Sequence, residues 1–483
     1  MDQNKTPLFD AIREYIKRKP AYFRIPGHRF ERGISQRWKD VVGEEIFKFD
    51  LTETPLLDDL HNPEGSIKAA QELAAQVFGA EHSYFLINGT TCGNEAMIAS
   101  TAFAGQKIAI PRNAHKSALM GLIIGGAVPV YLQPELSLEW GIQGGITPQS
   151  VEEMFREHPD CKGVMVVSPT YYGICSDLRA IAEICHAHDA VLLVDEAHGA
   201  HMYFSKELPE GALEQGADMC AQSIHKVTGS LTQSSMLHIH SKLVDVGRVE
   251  ATLHIVQSTS PSYILMTSLD LARYELAVHG EEMIQNAVAL AKQARERINA
   301  IQGVVCLGEE LLGNAGIKAL DSTRLIISAK KLGISGFDLL SMLEEDYGVD
   351  LELADFLNVL AIVTFANAEE EISRLVAALA QIAEKHRGEK ELENQIQLPP
   401  LPPLALGPRE TFFAQKEEIP WKDAVGEIAG EMIAPYPPGI PVIYPGEVVT
   451  QEVMEYIEGY RLRGRHLHGP ADPGLSVFRV VRG

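Results

Sequence analysis

The chain has 483 residues, 46% of them hydrophobic and 22% charged, with a formal net charge of −23 at pH 7. That length is too great for one compact core and suits two or three domains. The acidic balance argues against nucleic acid or an anionic membrane surface as partner, since both would repel it.

The first twenty residues, MDQNKTPLFDAIREYIKRKP, are charged and carry no apolar signal-peptide core. Residues 7–19 predict an amphipathic helix with Leu8, Ile12, Tyr15 and Ile16 on one face. RIPGHRF at 24–30 reads as a turn, and 66–78 as a helix with Ser66 as N-cap. Strands and helices then alternate. Strands are expected at 84–87, 107–111, 128–132, 163–170, 190–198, 219–226 and 236–240. Helices are expected from NGTTCGNEAMIAS, AHKSALMGLIIGG, VEEMFREH and LRAIAEICHAHD. The strands are continuous apolar runs, the mark of a mostly parallel sheet covered by helices on both faces. Ligands of such sheets sit at the carboxyl ends of the strands. NGTT, SPTYYG, DEAHGAH and SIHK all fall where a strand ends. The longest apolar stretch, 118–132, is too short to span a bilayer and contains Pro129. A long helix is expected near 264–302, an α+β pattern over 322–385 and a stiff proline-rich linker at 397–408. Beyond it come a helix, the turn-rich PYPPGIPVIYPGE, a helix at 450–461 and a Gly/His/Arg-rich tail. The six cysteines form no CxxC pair, which fits reduced thiols in a cytoplasmic enzyme.

The polar clusters suggest one chemistry. Asp195 ends the buried run VLLVD, where a carboxylate needs a partner such as a protonated ring nitrogen. Lys226 follows 31 residues later among apolar and hydroxyl residues, surroundings that depress an amine's pKa and make it a nucleophile. A lysine and a buried aspartate on neighbouring strand ends are what pyridoxal phosphate requires, one to carry the cofactor and one to keep its ring cationic. Gly89, Thr90 and Thr91 open a helix and make an anion site for the phosphate, with Ser223 as a further hydroxyl. The flat ring of His115 is a candidate to stack on the cofactor. His198 and His201 lack a third ligand at a metal-binding spacing, so no metal is expected.

The chain resembles the Orn/Lys/Arg decarboxylase family, in its shorter Gram-positive and cyanobacterial form. The likeness runs through RIPGHR, YFLINGTTCGNEAMI, VVSPTYYG, VDEAHGAH, QSIHKVTGSLTQSSMLH, VQSTSPSYILMTSLDLAR and PYPPGIPVIYPGE. It implies the aspartate-aminotransferase fold: an α/β large domain with a mostly parallel seven-stranded sheet, a small α+β domain and a C-terminal α+β domain. The implied boundaries are an N-terminal arm at 1–25, the cofactor-binding domain at 26–305, the small domain at 306–390, the linker at 391–408 and the C-terminal domain at 409–483. The resemblance makes Lys226 the cofactor-carrying residue, puts Asp195 on the ring nitrogen and sets the ring between His115 and Ala197. It places Thr90, Thr91, Ser223 and His225 at the phosphate and His198 near the substrate. Gln257, Ser258, Thr259 and Ser260 would reach the site of a partner subunit. PGHR stands where the family usually has PGHK, and Cys92 where it has a small hydroxyl residue.

The implied reaction is α-decarboxylation of a basic amino acid, arginine to agmatine in polyamine biosynthesis, with lysine or ornithine as alternatives. Lys226 or His225 would protonate the α-carbon. Asp355 and Glu447 are expected to meet the substrate's distal cation, with Glu53, Asp58 and Asp59 as further candidates. An aminotransferase or lyase would use the same lysine and aspartate, with Arg324 available to grip an α-carboxylate. A non-catalytic cofactor-binding regulator is the other alternative. Because the chain begins directly at PLFDAI, without the N-terminal wing of the longer relatives, a homodimer or small multiple of one is expected.

Overall fold

The computed structural model describes residues 1–392, 399–435, 441–461 and 467–482. Parts of the predicted linker, of PYPPGIPVIYPGE and of the C-terminal tail lie outside these residues. Seven strands form the main sheet: β1 (His82–Leu86), β2 (Lys107–Pro111), β3 (Val128–Leu132), β4 (Gly163–Val167), β5 (Val191–Asp195), β6 (Met219–Gln222) and β7 (Ser235–Ile239). Their order is β1-β7-β6-β5-β4-β2-β3, with β7 antiparallel to both of its neighbours and the other pairs parallel. Alternate residues serve opposite faces. Met165 and Leu193 enter one core with Ile98 and Leu122, while Val164, Val166, Leu192 and Val194 enter another with Phe155 and Ile181. Both faces are thus covered, which is why the strands read as unbroken apolar runs.

Apart from α7, the helices follow the predicted order: α1 (Pro7–Lys17), α2 (Ser66–Phe78), α3 (Gly89–Thr101), α4 (Lys116–Gly125), α5 (Pro148–Glu157), α6 (Leu178–Ala187), α7 (Ile224–Val227) and α8 (Tyr263–Asn299). Helix α3 lies hard against the sheet. A Cβ on Gly93 would meet Leu86 Cδ1 at 2.8 Å and Ala221 Cβ at 3.0 Å, so this approach requires glycine. Two local expectations are corrected. The strand predicted over 219–226 stops at Gln222. Ser223 takes φ −84° and ψ 90°, and a single helical turn follows, too short to register a 3.6-residue period. Ser66 is the first helical residue of α2 rather than its cap. Asp58 caps the helix from a distance, its Oδ2 accepting from the amides of Gly65, Ile67 and Lys68 at 2.8, 2.9 and 3.3 Å.

Helix α8 belongs to two cores. Tyr263, Met266 and Leu269 pack beneath the main sheet, and Ala291, Ala294 and Ile298 pack against a second, four-stranded antiparallel sheet. That sheet is built from β8 (Val305–Cys306), β9 (Arg324–Ser328), β10 (Leu353–Ala354) and β11 (Asn358–Ile362). Helices α9 (Gly336–Tyr347) and α10 (Glu369–Lys385) cover it. The C-terminal unit has its own core around Trp421, Ile443, Val453 and Phe478, with α11 (Pro408–Phe413) and α12 (Gln451–Arg461). Among the described residues no helix is long and apolar enough to cross a membrane.

The N-terminus is latched by a buried ion pair. Arg273 donates to the carbonyl oxygens of Gln3 and Lys5 and to Asp270 Oδ1, the last at 2.8 Å. Asp270 Oδ2 accepts from the first amides of α1, Leu8 N at 3.0 Å and Phe9 N at 3.3 Å. Arg273→Met would leave Asp270 buried and unpaired, a change that costs about 3–5 kcal/mol. The expected outcome is a lower urea midpoint and faster proteolysis within the first twenty residues; an unchanged midpoint would show that the latch contributes little.

Candidate active site

The turn at α7 buries Ile224 and Val227 and leaves His225 and Lys226 on the wall of a cavity of about 760 Å³. The wall also carries Gly89, Thr90 and Thr91 at the start of α3, His115 at the cap of α4, Asp195 at the end of β5, and Ala197, His198 and Ser223. The residues expected at the cofactor therefore converge on the carboxyl edge of the sheet.

Lys226 is the centre of this arrangement. Its Nζ lies 3.0 Å from His198 Nε2 and 5.2 Å from the centre of the Tyr171 ring. Burial lowers the proton affinity of the amine, with Asp195 acting the other way. Burial also pushes His198 well below the usual imidazole range, and the charges of Lys226 and Arg324 push it further. His198 is thus neutral beside the lysine. Asp195 is held through both oxygens, Oδ1 by the amide of Ala197 at 3.2 Å and Oδ2 by Asn94 Nδ2 at 2.7 Å. His115 caps α4 through Nδ1, and desolvation lowers its proton affinity against the pull of Asp195. His225 donates from Nδ1 to the carbonyl of Ser234 at 2.8 Å, which fixes its ring.

The hydroxyls of Thr90 and Ser223 lie 2.6 Å apart, and Thr90 also reaches Ser235 at 3.0 Å. This cluster meets the amides of the first turn of α3, whose N–H groups have no helical partners. Gly89 at φ +74° begins that turn. Hydroxyls, a helix N-terminus and an imidazole at one end of the cavity suit a phosphate dianion. A carboxylate at another point suits a ring nitrogen, and a desolvated amine suits an aldehyde. The residues present fit pyridoxal phosphate. Cys92 takes no part: it bonds its own helix at Gly89 O, and burial pushes its thiol up to about 12.

The expected substrate acids lie differently. Glu447 is fully buried, does not line the cavity, and is paired with Arg112. Asp355 lines the cavity, but Leu357 N, Asn358 N and Asn358 Nδ2 bind its Oδ1, and the Tyr172 hydroxyl binds its Oδ2. Asp58 is spent on the cap of α2, and Glu53 accepts from the Thr52 hydroxyl. Glu455 of α12 lines the cavity and, among the described residues, is bonded only on its own helix, to Gln451. Arg324 does not line the cavity. It donates to the carbonyl of His198 at 3.1 Å and stands 3.6 Å from Asp321. Burial would raise the Asp321 carboxyl, yet His201 and Arg324 draw it below the usual range. Gln257 Oε1 accepts from Ile87 N at 2.9 Å, which pins exposed Ser258, Thr259 and Ser260 beside the phosphate turn. Among the described residues no group of three or more His, Cys, Asp or Glu is placed to hold a metal.

Asn94, Tyr171 and Arg112 are among the cavity residues that were not anticipated. Asn94 follows Thr90 by four positions on α3, so helical spacing alone puts it on the same side. Tyr171 lies within the quoted SPTYYG stretch, its ring centre 4.2 Å from that of His198.

Residues 6–371 match the family described as Orn/Lys/Arg decarboxylase, major domain, and residues 400–471 match Orn/Lys/Arg decarboxylase, C-terminal domain. The chain is 42% identical to an arginine decarboxylase of Halalkalibacterium halodurans over 482 residues, 99% of this chain and 98% of that one. It is equally similar, at 42%, to an arginine decarboxylase of Bacillus subtilis, over 100% of this chain and 99% of that one. Among solved structures, the Francisella novicida lysine decarboxylase LdcF superposes with a TM-score of 0.86 at 22% identity, over 99% of this chain and 81% of that one. A Sphingomonas wittichii serine palmitoyltransferase superposes at 0.54 with 14% identity, over 73% and 82%. The fold is that of the pyridoxal-phosphate-dependent transferases.

Proposed function

The chain belongs to the Orn/Lys/Arg decarboxylase family, and from that premise we propose that it is a pyridoxal-phosphate-dependent arginine decarboxylase, releasing CO2 and agmatine. The observation that carries the reading is the desolvated amine of Lys226 in a cavity shared with Asp195 and His115. The choice of arginine is supported by the full-length similarity to arginine decarboxylases. When bound, pyridoxal phosphate supplies the sink for the electron pair left by the departing carboxylate.

The protein's own groups do the rest. Thr90, Thr91, Ser223, His225 and the α3 amides would hold the phosphate, and the Asp195 carboxylate would meet the ring nitrogen. His115 and Ala197 would flank the ring. Lys226, 3.0 Å from His198 Nε2, would hold the cofactor and, once free, would be placed to deliver the proton that replaces CO2 on the α-carbon. Such proton transfer contributes about 10²–10⁴-fold to rate. Glu455 is the acid on the described cavity wall with the fewest competing bonds for a distal cation. Arg324, already bound to the His198 carbonyl, is not available as a carboxylate clamp, which weighs against the aminotransferase reading.

Exposed apolar side chains, Phe23 at 89%, Val41 at 82% and Trp38 at 56% among them, favour a homodimer that covers them. The exposed run 258–260, beside the phosphate turn, is the segment offered to the second site. A cytoplasmic place and a role in polyamine biosynthesis go with this reading. The test is CO2 release from carboxyl-labelled arginine, lysine and ornithine by protein loaded with pyridoxal phosphate. Arginine turning over at least tenfold faster than the others supports the proposal; preference for lysine or ornithine reassigns the substrate, and keto-acid product without CO2 overturns the reaction.

A further inference from the structure

We propose that Asn94 and Ser117 are positioning residues that tie the Asp195 carboxylate to the His115 ring and hold that ring with its proton on Nε2. The proposal rests on reading the cavity as the pyridoxal-phosphate site. Asn94 is 1% exposed and Ser117 is fully buried. Asn94 Nδ2 donates to Asp195 Oδ2 at 2.7 Å and to Ser117 Oγ at 3.0 Å. Both amide hydrogens are spent. The opposite orientation would set Oδ1 against the carboxylate, and in the observed one Oδ1 is buried with no partner among the described residues. The amide therefore gives up one bond to keep a charge-assisted one.

The direction of the remaining bonds follows. Ser117 Oγ accepts from Asn94, so its own proton is free to go to His115 Nδ1 at 2.8 Å. The Ser117 amide, which can only donate, also points at Nδ1 at 3.3 Å. Nδ1 is thus an acceptor from two donors, and a neutral ring must carry its proton on Nε2. The charged groups around His115 are Asp195, which favours a second proton, and Lys226 and Lys116, which oppose it. The chain Asp195–Asn94–Ser117–His115 links strand β5 to helices α3 and α4. It gives the site a neutral ring offering one N–H, rather than a second cation beside Lys226.

The test uses the full chain with ring-¹⁵N histidine, loaded with pyridoxal phosphate, the His115 signals being those lost in His115→Gln. The unmodified protein is expected to show the Nε2–H tautomer. Ser117→Ala removes a donor from Nδ1, and Asn94→Leu frees Ser117 Oγ to turn and accept from a protonated Nδ1, so both should titrate at higher pH, and Ser117→Thr should restore the parent midpoint. Asn94→Leu should also hold the cofactor about tenfold more weakly, the effect of one hydrogen bond to a charged group. An Nδ1–H tautomer in the unmodified protein, or parent midpoints in both Ser117→Ala and Asn94→Leu, would overturn the proposal. Protein that takes up no pyridoxal phosphate would overturn the cofactor reading instead; the tautomer, which needs only the folded chain, would still decide the relay.

Discussion

Lys226→Ala is expected to abolish both the visible absorption of the cofactor-loaded protein and CO2 release, the latter by more than about 10⁴-fold, the upper end for loss of a positioned acid–base group alone. Lys116, which also lines the cavity, does not replace it: it is an exposed residue at the start of α4, whereas burial draws down the proton affinity of Lys226. The depressed proton affinity has a measurable sign. An amine attacks an aldehyde only when neutral, so loading of the unloaded protein should speed up with rising pH. It should level off below the pH at which a free lysine side chain loses its proton. Stopped-flow absorbance across pH reads this directly. A Lys226→Ala variant that remains covalently attached to the cofactor after borohydride reduction would remove Lys226 from the role.

Arg112→Met should be the most destabilising substitution near the site. Arg112 and Glu447 are 3% and 0% exposed, and they join the end of β2 to the C-terminal unit across 335 residues of chain. Beside Tyr131 and Tyr444, whose rings stack on each other 5.2 Å apart and 5° from parallel, sits the guanidinium. Its carbon lies 4.9 and 4.6 Å from the two ring centres. Burial raises the Glu447 carboxyl and Arg112 opposes that rise. Removing the arginine leaves the acid buried and unpaired, at a cost of about 3–5 kcal/mol. Urea unfolding should show the loss, and the double variant Arg112→Met/Glu447→Leu should recover much of it, since an apolar pair leaves no orphaned charge. A double variant no more stable than Arg112→Met would place the effect elsewhere.

The large-scale plan was legible because it is written in local pattern. Buried parallel strands are unbroken apolar runs, and each polar cluster that ends one lands on the same sheet edge. Asp195 and Lys226 could be paired on that logic although Lys226 proved to sit on a helical turn rather than a strand. Four residues carry no periodicity, so the turn left no trace to read. The acids were harder. Asp58, Asp355 and Glu447 look alike as sequence; what separates a substrate contact from a helix cap, a saturated turn or a buried ion pair is a partner far along the chain. Glu447 has Arg112, and Asp355 has Tyr172, 183 residues away. Asn94 was hidden for a different reason: its importance lies in joining Asp195 to His115, and only the packing of α3 and α4 against β5 brings the three together.

The length of α8 bears on motion. At 1.5 Å per residue its 37 residues form a rod of about 55 Å. One end is embedded under the main sheet and the other under the small one, so the two units cannot swing about a flexible tether. Any closing movement would pivot the rod about its footing near Tyr263–Leu269. A small rotation there would be amplified at the far end and would carry the small unit with it, so the bond from Arg324 to the His198 carbonyl, which spans the two units, would have to give way. Substitutions along the middle of the helix, distant from every cavity residue, should therefore act on the rate of opening and product escape rather than on the bond-breaking step.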